Sequence, residues 1–530
     1  MRIAKRVRLM SPLLRVLLAS LFCCALVPAQ DDPARLDAVR EFQRYFRQKK
    51  DEAWQVEAIM TLKGNECVPA AEELLKLLKS HSDALRKAAA DVIATYRDPE
   101  TWKPWVADLS RQDDDTKATL AKVFGLARLA QAVPALRGLL EGGRASPTLK
   151  FEIARAFRLI GDPSVGPALR PMLSDPDPLV RMAAADCAGA LKIKELGDEL
   201  VLLLGDKEWQ VRTSAIAAVG RLRPQSAVQP LIDLMREEGR LQIECAEALF
   251  RITGFEFGTE VDLWQKQWNN LMAIPGWRIP TDEELAAKAA NRKKYDELYG
   301  KKEGRNKFVG IPTTSTRVLF IIDVSGSMDD YVVEKEKFKD QGYEDYKKLT
   351  IVKSELLRTI DGLEKNTYFD IVAFAADLDA WKGRLVPANV INKESAKSWV
   401  RRLKALGGSE AQAMAEAGLG GSATLAAGKT NTLKALLYPF GIDPDNPPKH
   451  AFTGAGKTSI KNSLDTVYFL SDGRPSTGKL VDVGEILAEV ERYNEVFKIV
   501  FHAIAIGEFQ KEFLRDLANR TGGVFVDLGR

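Results

Sequence analysis

The chain has 530 residues, 45% of them hydrophobic and 28% charged, proportions that exclude a disordered or membrane-embedded polypeptide. Its formal net charge of +4 is misleading, because residues 1–30 hold Arg2, Lys5, Arg6, Arg8 and Arg15 and no acid, which leaves the remainder at −1. That balance gives no case for nucleic acid as a partner, and the length leaves room for about three domains of roughly 150 residues.

The basic N-terminus is followed by an apolar run from Val16 to Leu26 and then Val27-Pro28-Ala29. This pattern predicts a secretory signal over 1–29 with cleavage after Ala29; an uncleaved anchor is the alternative. The apolar core is short for a membrane span, and no second apolar span follows. The expected address is therefore secreted, periplasmic or the cell envelope, with no membrane span in the mature chain. Three cysteines remain beyond that point, Cys67, Cys187 and Cys245. An odd, widely spaced set among apolar neighbours predicts buried thiols rather than a disulfide framework, although an oxidising compartment leaves open a pair among them.

From about residue 52 to 270 the chain repeats itself. Leu149-Lys150, Val180-Arg181 and Val211-Arg212 recur at a step of 31, and Leu169, Leu200 and Leu231 follow the same step. Each unit reads as two amphipathic helices and a short turn, and a period near 30 with helices only predicts a stacked α-solenoid over 30–270. The Val-Arg…Ala-Ala pattern resembles HEAT repeats. The alanines let helix pairs approach closely, and the recurring Arg or Lys reads as structural. Trp264 and Trp268, four apart on one helix face, read as a cap over the end of the stack, with a peptide or glycan platform as the alternative. Gly254 fits a helix C-cap. Residues 271–310 form a connection, in which Thr281-Asp282-Glu283-Glu284 is a capping box that opens a charged helix.

The stretch Val318-Leu319-Phe320-Ile321-Ile322 is too continuously apolar for a strand with one face in water and predicts a central parallel strand. It ends in Asp323, Ser325 and Ser327, with Gly326 allowing a sharp turn. Hard oxygen donors packed this closely suit a hard divalent cation, Mg2+ first, with Mn2+ or Ca2+ as alternatives. Downstream, Gly428-Lys429-Thr430-Asn431-Thr432 opens the helical stretch Leu433 to Phe440, and Thr466 to Leu470 is a second buried strand ending in Ser471-Asp472-Gly473.

These three elements, in this order, resemble the metal-ion-dependent adhesion site of von Willebrand factor type A domains, over residues 311–530. The resemblance implies that Ser325 and Ser327 bind the cation directly, that Thr430 binds directly or through water, and that Asp323 and Asp472 bind mainly through water. It also implies an open position for an Asp or Glu carboxylate from a protein partner. Two features depart from the family pattern. Lys429 stands where the family more often has Gly, and Ser422 and Thr424 lie nearby as other hydroxyl donors.

The rest of this half alternates helices (349–363, 393–405, 509–520) with strands (368–374, 497–506, 523–528). That pattern predicts a doubly wound, mostly parallel Rossmann-like sheet after the solenoid, an α + α/β chain. Two stretches imitate a phosphate-binding loop, Gly428-Lys429-Thr430 and Gly454-Ala455-Gly456-Lys457-Thr458, but the glycine required five positions earlier is Ala423 or Ala451. No Gly-x-Ser-x-Gly elbow is present and His81, His450 and His502 lie far apart. The expectation is a binding and adhesion protein, not an enzyme. The rival is a metal-independent scaffold or accessory protein that presents clients to another complex.

Overall fold

A computed structural model describes residues 32–528, apart from 238, 300–306, 309–310, 313–314, 409–412, 415, 418–421, 446–463, 473 and 508–510. The predicted signal segment, His450 and the second loop-like stretch at 454–458 lie outside the described residues. The chain divides into two compact units, the first ending at Leu191 and the second running from Lys192 to Arg530. Among the described residues no helix is long and apolar enough to cross a membrane.

Among the described residues the first unit is built of helices alone. The repeat step is written into its helix starts: Asp51, Ser82 and Asp113 stand 31 apart, as do Ser146 and Asp177. Each side chain accepts a backbone N–H from the first turn of its own helix, as in Trp54 N to Asp51 at 2.8 Å and Thr116 N to Asp113 at 3.0 Å. These caps satisfy donors that a helix otherwise leaves unpaired. The basic residue four positions after a cap braces a loop, either the one before its own helix (Arg181) or the one before the next repeat's helix (Lys150). Arg181 donates to Asp175 O at 2.8 Å, and Lys150 reaches the Asp175 carboxylate at 2.6 Å. These contacts explain the recurring Arg or Lys as a structural brace. Small residues set the helix spacing: a Cβ on Gly125 would lie 2.8 Å from Ala156 Cα.

The second unit continues the helical repeats and then builds the sheet. Helix Leu241–Thr253 ends on Gly254, whose φ of 72° is the left-handed conformation that glycine adopts without strain. Trp264 and Trp268 are both buried, and the indole N–H of Trp264 donates to Gly258 O. Both pack inward, Trp264 edge-on against Phe257 and Trp268 edge-on against Trp277. The capping box is present, with Thr281 N donating to Glu284 and Glu284 N donating to Thr281.

Strands β1 (Lys307–Phe308) and β2 (Ile311–Pro312) form a short antiparallel pair. The main sheet contains β3 (Arg317–Asp323), β4 (Tyr368–Phe374), β5 (Leu378–Ala380), β6 (Val386–Pro387), β7 (Thr466–Ser471), β8 (Val500–Ala505) and β9 (Phe525–Asp527). Its order is β5-β4-β3-β7-β8-β9, with β6 also on β4. The pairs β3–β4, β3–β7, β7–β8 and β8–β9 are parallel, and only β5 and β6 run antiparallel. Helices of this part, numbered from its own first, are α1 (Lys348–Gly362), α2 (Val390–Arg402), α3 (Ser422–Ala427), α4 (Thr432–Leu437), α5 (Val483–Phe497) and α6 (Lys511–Thr521).

Side chains alternate across β3. Val318, Phe320 and Ile322 pack with Ile351, Val352, Leu356 and Ile360 of α1 and with Ala396 and Val400 of α2. On the other face Phe374 and Phe469 stack at 5.3 Å, and Phe440 meets Tyr493, Phe497 and Phe501. Burial on both faces is what the unbroken apolar run of β3 requires.

Two expectations need correction. The helix expected at 393–405 starts three residues earlier, because Asn389 accepts from Asn392 N and caps it. The strand expected at 497–506 begins only at Val500. Phe497 ends α5, a helix with no counterpart in the sequence reading, whose buried face is Ile486, Leu487, Val490, Tyr493, Val496 and Phe497. The short strands β5 and β6 also went unanticipated. Two or three residues carrying Asp379 and Pro387 show no alternation to detect.

Candidate metal centre

Chain order and strand order diverge between β3 and β7. The chain leaves β3 for β4 on one side and returns to β7 on the other. Crevices form at the carboxyl ends of strands at such a switch point. Asp323 is the last residue of β3, and Asp472 follows the last residue of its neighbour β7.

A hydrogen-bonded chain joins four of the five predicted residues. Ser325 N donates to Asp323 Oδ1 at 2.9 Å. The hydroxyls of Ser325 and Ser327 lie 3.3 Å apart, and Ser327 Oγ donates to Asp472 Oδ1 at 2.8 Å. Asp323, Ser325 and Asp472 are almost fully buried. Burial raises the Asp323 carboxyl well above the ordinary range; the neighbouring Asp472 charge adds to this, and hydrogen bonds from Ser325 and Ser471 oppose it.

Thr430 enters from a separate loop. Gly326 N donates to Gly428 O at 3.1 Å, which ties that loop to the one bearing the serines. A third segment, Leu406–Gly407, packs closely against both glycines. A Cβ on Gly326 would lie 2.6 Å from Gly407 O, and one on Gly428 would overlap Leu406 O. Thr430 N donates to Ser476 Oγ at 2.8 Å, and Ser476 N returns to Thr430 O at 2.9 Å, so the loop after Asp472 is tied in as well. Thr430 is buried, and among the described residues its hydroxyl makes no hydrogen bond. Lys429 beside it is exposed. The backbone N–H of Thr430 is spent on Ser476, so this loop does not present the row of free amides that a phosphate cradle needs.

The donor set fits a hard divalent cation. It is oxygen throughout, with two carboxylates and three hydroxyls. Among the described residues no three His, Cys, Asp or Glu side chains converge as a metal cluster; a centre built largely on serine and threonine oxygens is of a different composition. Sequence reasoning missed two neighbours. Ser471 Oγ donates to Asp323 Oδ2 at 2.6 Å, and Lys348, the first residue of α1, places its ammonium 2.5 Å from Asp472 Oδ2. Ser471 was within reach, since it sits next to Asp472; nothing in the sequence singles out Lys348 among the lysines of 335–353. A cavity of about 520 Å3 lined by Leu319, Asp370, Lys434 and Tyr438 lies elsewhere and includes none of the five residues.

A family model of HEAT repeats matches residues 102–189 and 166–250. Inter-alpha-trypsin inhibitor heavy chain H1 of Sus scrofa is 26% identical over 173 residues, which is 33% of this chain and 14% of that protein. The human von Willebrand factor A domain-containing protein 3B is 26% identical over 179 residues, 34% of this chain and 10% of that one. The chain therefore spans only a small part of the curated relatives it matches. A solved von Willebrand factor type A structure from Catenulispora acidiphila is 19% identical, covering 41% of this chain and 39% of that chain, with a TM-score of 0.26.

This is a von Willebrand factor type A domain protein with HEAT-like repeats. The mostly parallel sheet with helices on both faces is the type A domain, and the helical pairs before it are the repeats. Both families point to protein interaction as the general role.

Proposed function

We propose that the protein is exported and binds protein partners through a Mg2+-dependent site in its type A domain, with the repeat surface as a second contact region. The observation that carries this is the hydrogen-bonded chain from Asp323 through Ser325 and Ser327 to Asp472, at the carboxyl ends of adjacent strands. Ser325, Ser327 and Thr430 would hold the ion, with Asp323 and Asp472 acting through water. A bound Mg2+ supplies a Lewis-acidic position for an Asp or Glu carboxylate of the partner. Asp323 fixes the serine loop through Ser325 N, and Asp472 takes the single hydrogen of Ser327, so Ser327 would meet a cation with a lone pair. The set holds charge and orients ligands, and the reading is one of binding rather than catalysis.

Calorimetric titration with Mg2+ and Mn2+ tests it. The wild type takes up one ion per chain, and Ser325→Ala weakens uptake at least tenfold while the melting temperature of the chelated protein stays within a few degrees. Equal uptake by both, or none by either, returns the protein to the reading of a metal-independent scaffold that presents clients to another complex.

A further inference from the structure

Lys348 is a buried lysine at the first position of α1. Its backbone N–H donates to Asp330 O at 3.0 Å, which anchors it to the loop that follows the serines. Its ammonium lies 2.5 Å from Asp472 Oδ2 and 3.3 Å from Ser327 O. The other oxygen of Asp472 already accepts from Ser327. Each carboxylate oxygen of Asp472 thus already accepts one hydrogen bond, Oδ1 from Ser327 and Oδ2 from Lys348.

The charge count gives this contact its meaning. Asp323 and Asp472 are buried and carry up to two negative charges, and unpaired buried charge is expensive. One ammonium leaves the centre at −1 without a divalent ion and at +1 with one. A centre of the same residues lacking Lys348 stands at −2 and 0. Lys348 thus steadies the metal-free arrangement and repels an incoming dication.

We propose that Lys348 is a tethered counter-ion of the metal centre: its ammonium keeps the site assembled without a divalent ion and sets a higher Mg2+ concentration for loading. This rests on the Mg2+ reading above. Lysine suits the role because its compact charge sits on a flexible stem that can yield when the dication arrives.

The test compares wild type, Lys348→Met and Lys348→Arg in two measurements, calorimetric titration with Mg2+ alone and thermal melting in chelator and in Mg2+. Lys348→Met is expected to bind Mg2+ at least tenfold more tightly than wild type. Its melting temperature is expected to fall in chelator and to recover most of the difference in Mg2+, whereas the wild type gains less from Mg2+ than the variant does. Lys348→Arg, which keeps the charge, should stay within about threefold of wild type. If Lys348→Met folds in neither buffer, Lys348→Gln is read by the same titration. Mg2+ affinity of the neutral variant equal to or weaker than that of a wild type that does bind Mg2+ overturns the counter-ion role alone. Failure of wild type and every variant to bind Mg2+ overturns the metal reading and the counter-ion role together.

Discussion

His502 makes stability of the type A domain depend on pH in a direction that can be worked out. It lies on β8, its ring stacks on Tyr468 at 4.8 Å, and its Nδ1 accepts the N–H of Val524 at 3.0 Å, at the entry to β9. Accepting that bond requires the neutral imidazole, and burial, with the Arg240 guanidinium nearby, lowers its pKa to about 4 from an ordinary 6.5. The folded pKa is depressed, so the unfolded chain takes up the proton first. The contribution is complete above about pH 6.5 and is lost as pH falls toward 4. At about 1.4 kcal/mol per pH unit between the two values, the whole is on the order of 3 kcal/mol.

His502→Asn removes the titration and keeps an amide oxygen near the position of Nδ1. Hydrogen–deuterium exchange of peptides from β7, β8 and β9 at pH values from 7.5 to 4.5, corrected for intrinsic rates, reads the effect locally. Wild-type protection should decline relative to the variant through that range, by up to about 1.4 kcal/mol per pH unit. A difference between the two proteins that stays flat from pH 7.5 to 4.5 would refute the reasoning.

Two glycine substitutions test the close approaches. Gly326→Ala puts a Cβ 2.6 Å from Gly407 O; it should cost about 1–3 kcal/mol by overpacking and weaken Mg2+ uptake at least tenfold in calorimetry, with helix content by circular dichroism unchanged. Gly125→Ala should destabilise the first unit by a similar amount, read as a lower melting temperature. Gly138→Ala, in a helix and with nothing within 4 Å of its Cβ, should instead stabilise it by about 0.4–1 kcal/mol.

The sequence revealed most where a single periodicity was unopposed. The step of 31 carried the repeats, because each cap and brace contacts residues nearby in the chain. The apolar runs of β3 and β7 stood out because both faces are covered, and Asp323 and Asp472 followed from strand ends. What stayed hidden depends on long-range packing. Lys348 meets Asp472 across 124 positions. The grip of Arg240 on Asp465 O and Lys498 O spans more than 200. Helix α5 was missed for a different reason: its apolar residues are interleaved with Glu485, Glu489, Glu491 and Arg492, and the next strand, beginning with apolar residues of its own, drew the boundary back to Phe497.

The three thiols carry a consequence for the lifetime of the protein. Cys67, Cys187 and Cys245 are free and buried, and burial pushes all three above the ordinary thiol range, Cys187 to about 12. A thiol that is neither ionised nor reachable does not exchange with disulfides. In an oxidising compartment the folded chain therefore keeps these three cysteines reduced by shape alone. Opening removes that protection, and a sulfur oxidised in the open chain no longer fits the space it left. Unfolding there becomes a one-way exit, so persistence is set by how often the chain opens rather than by the balance between folded and unfolded forms.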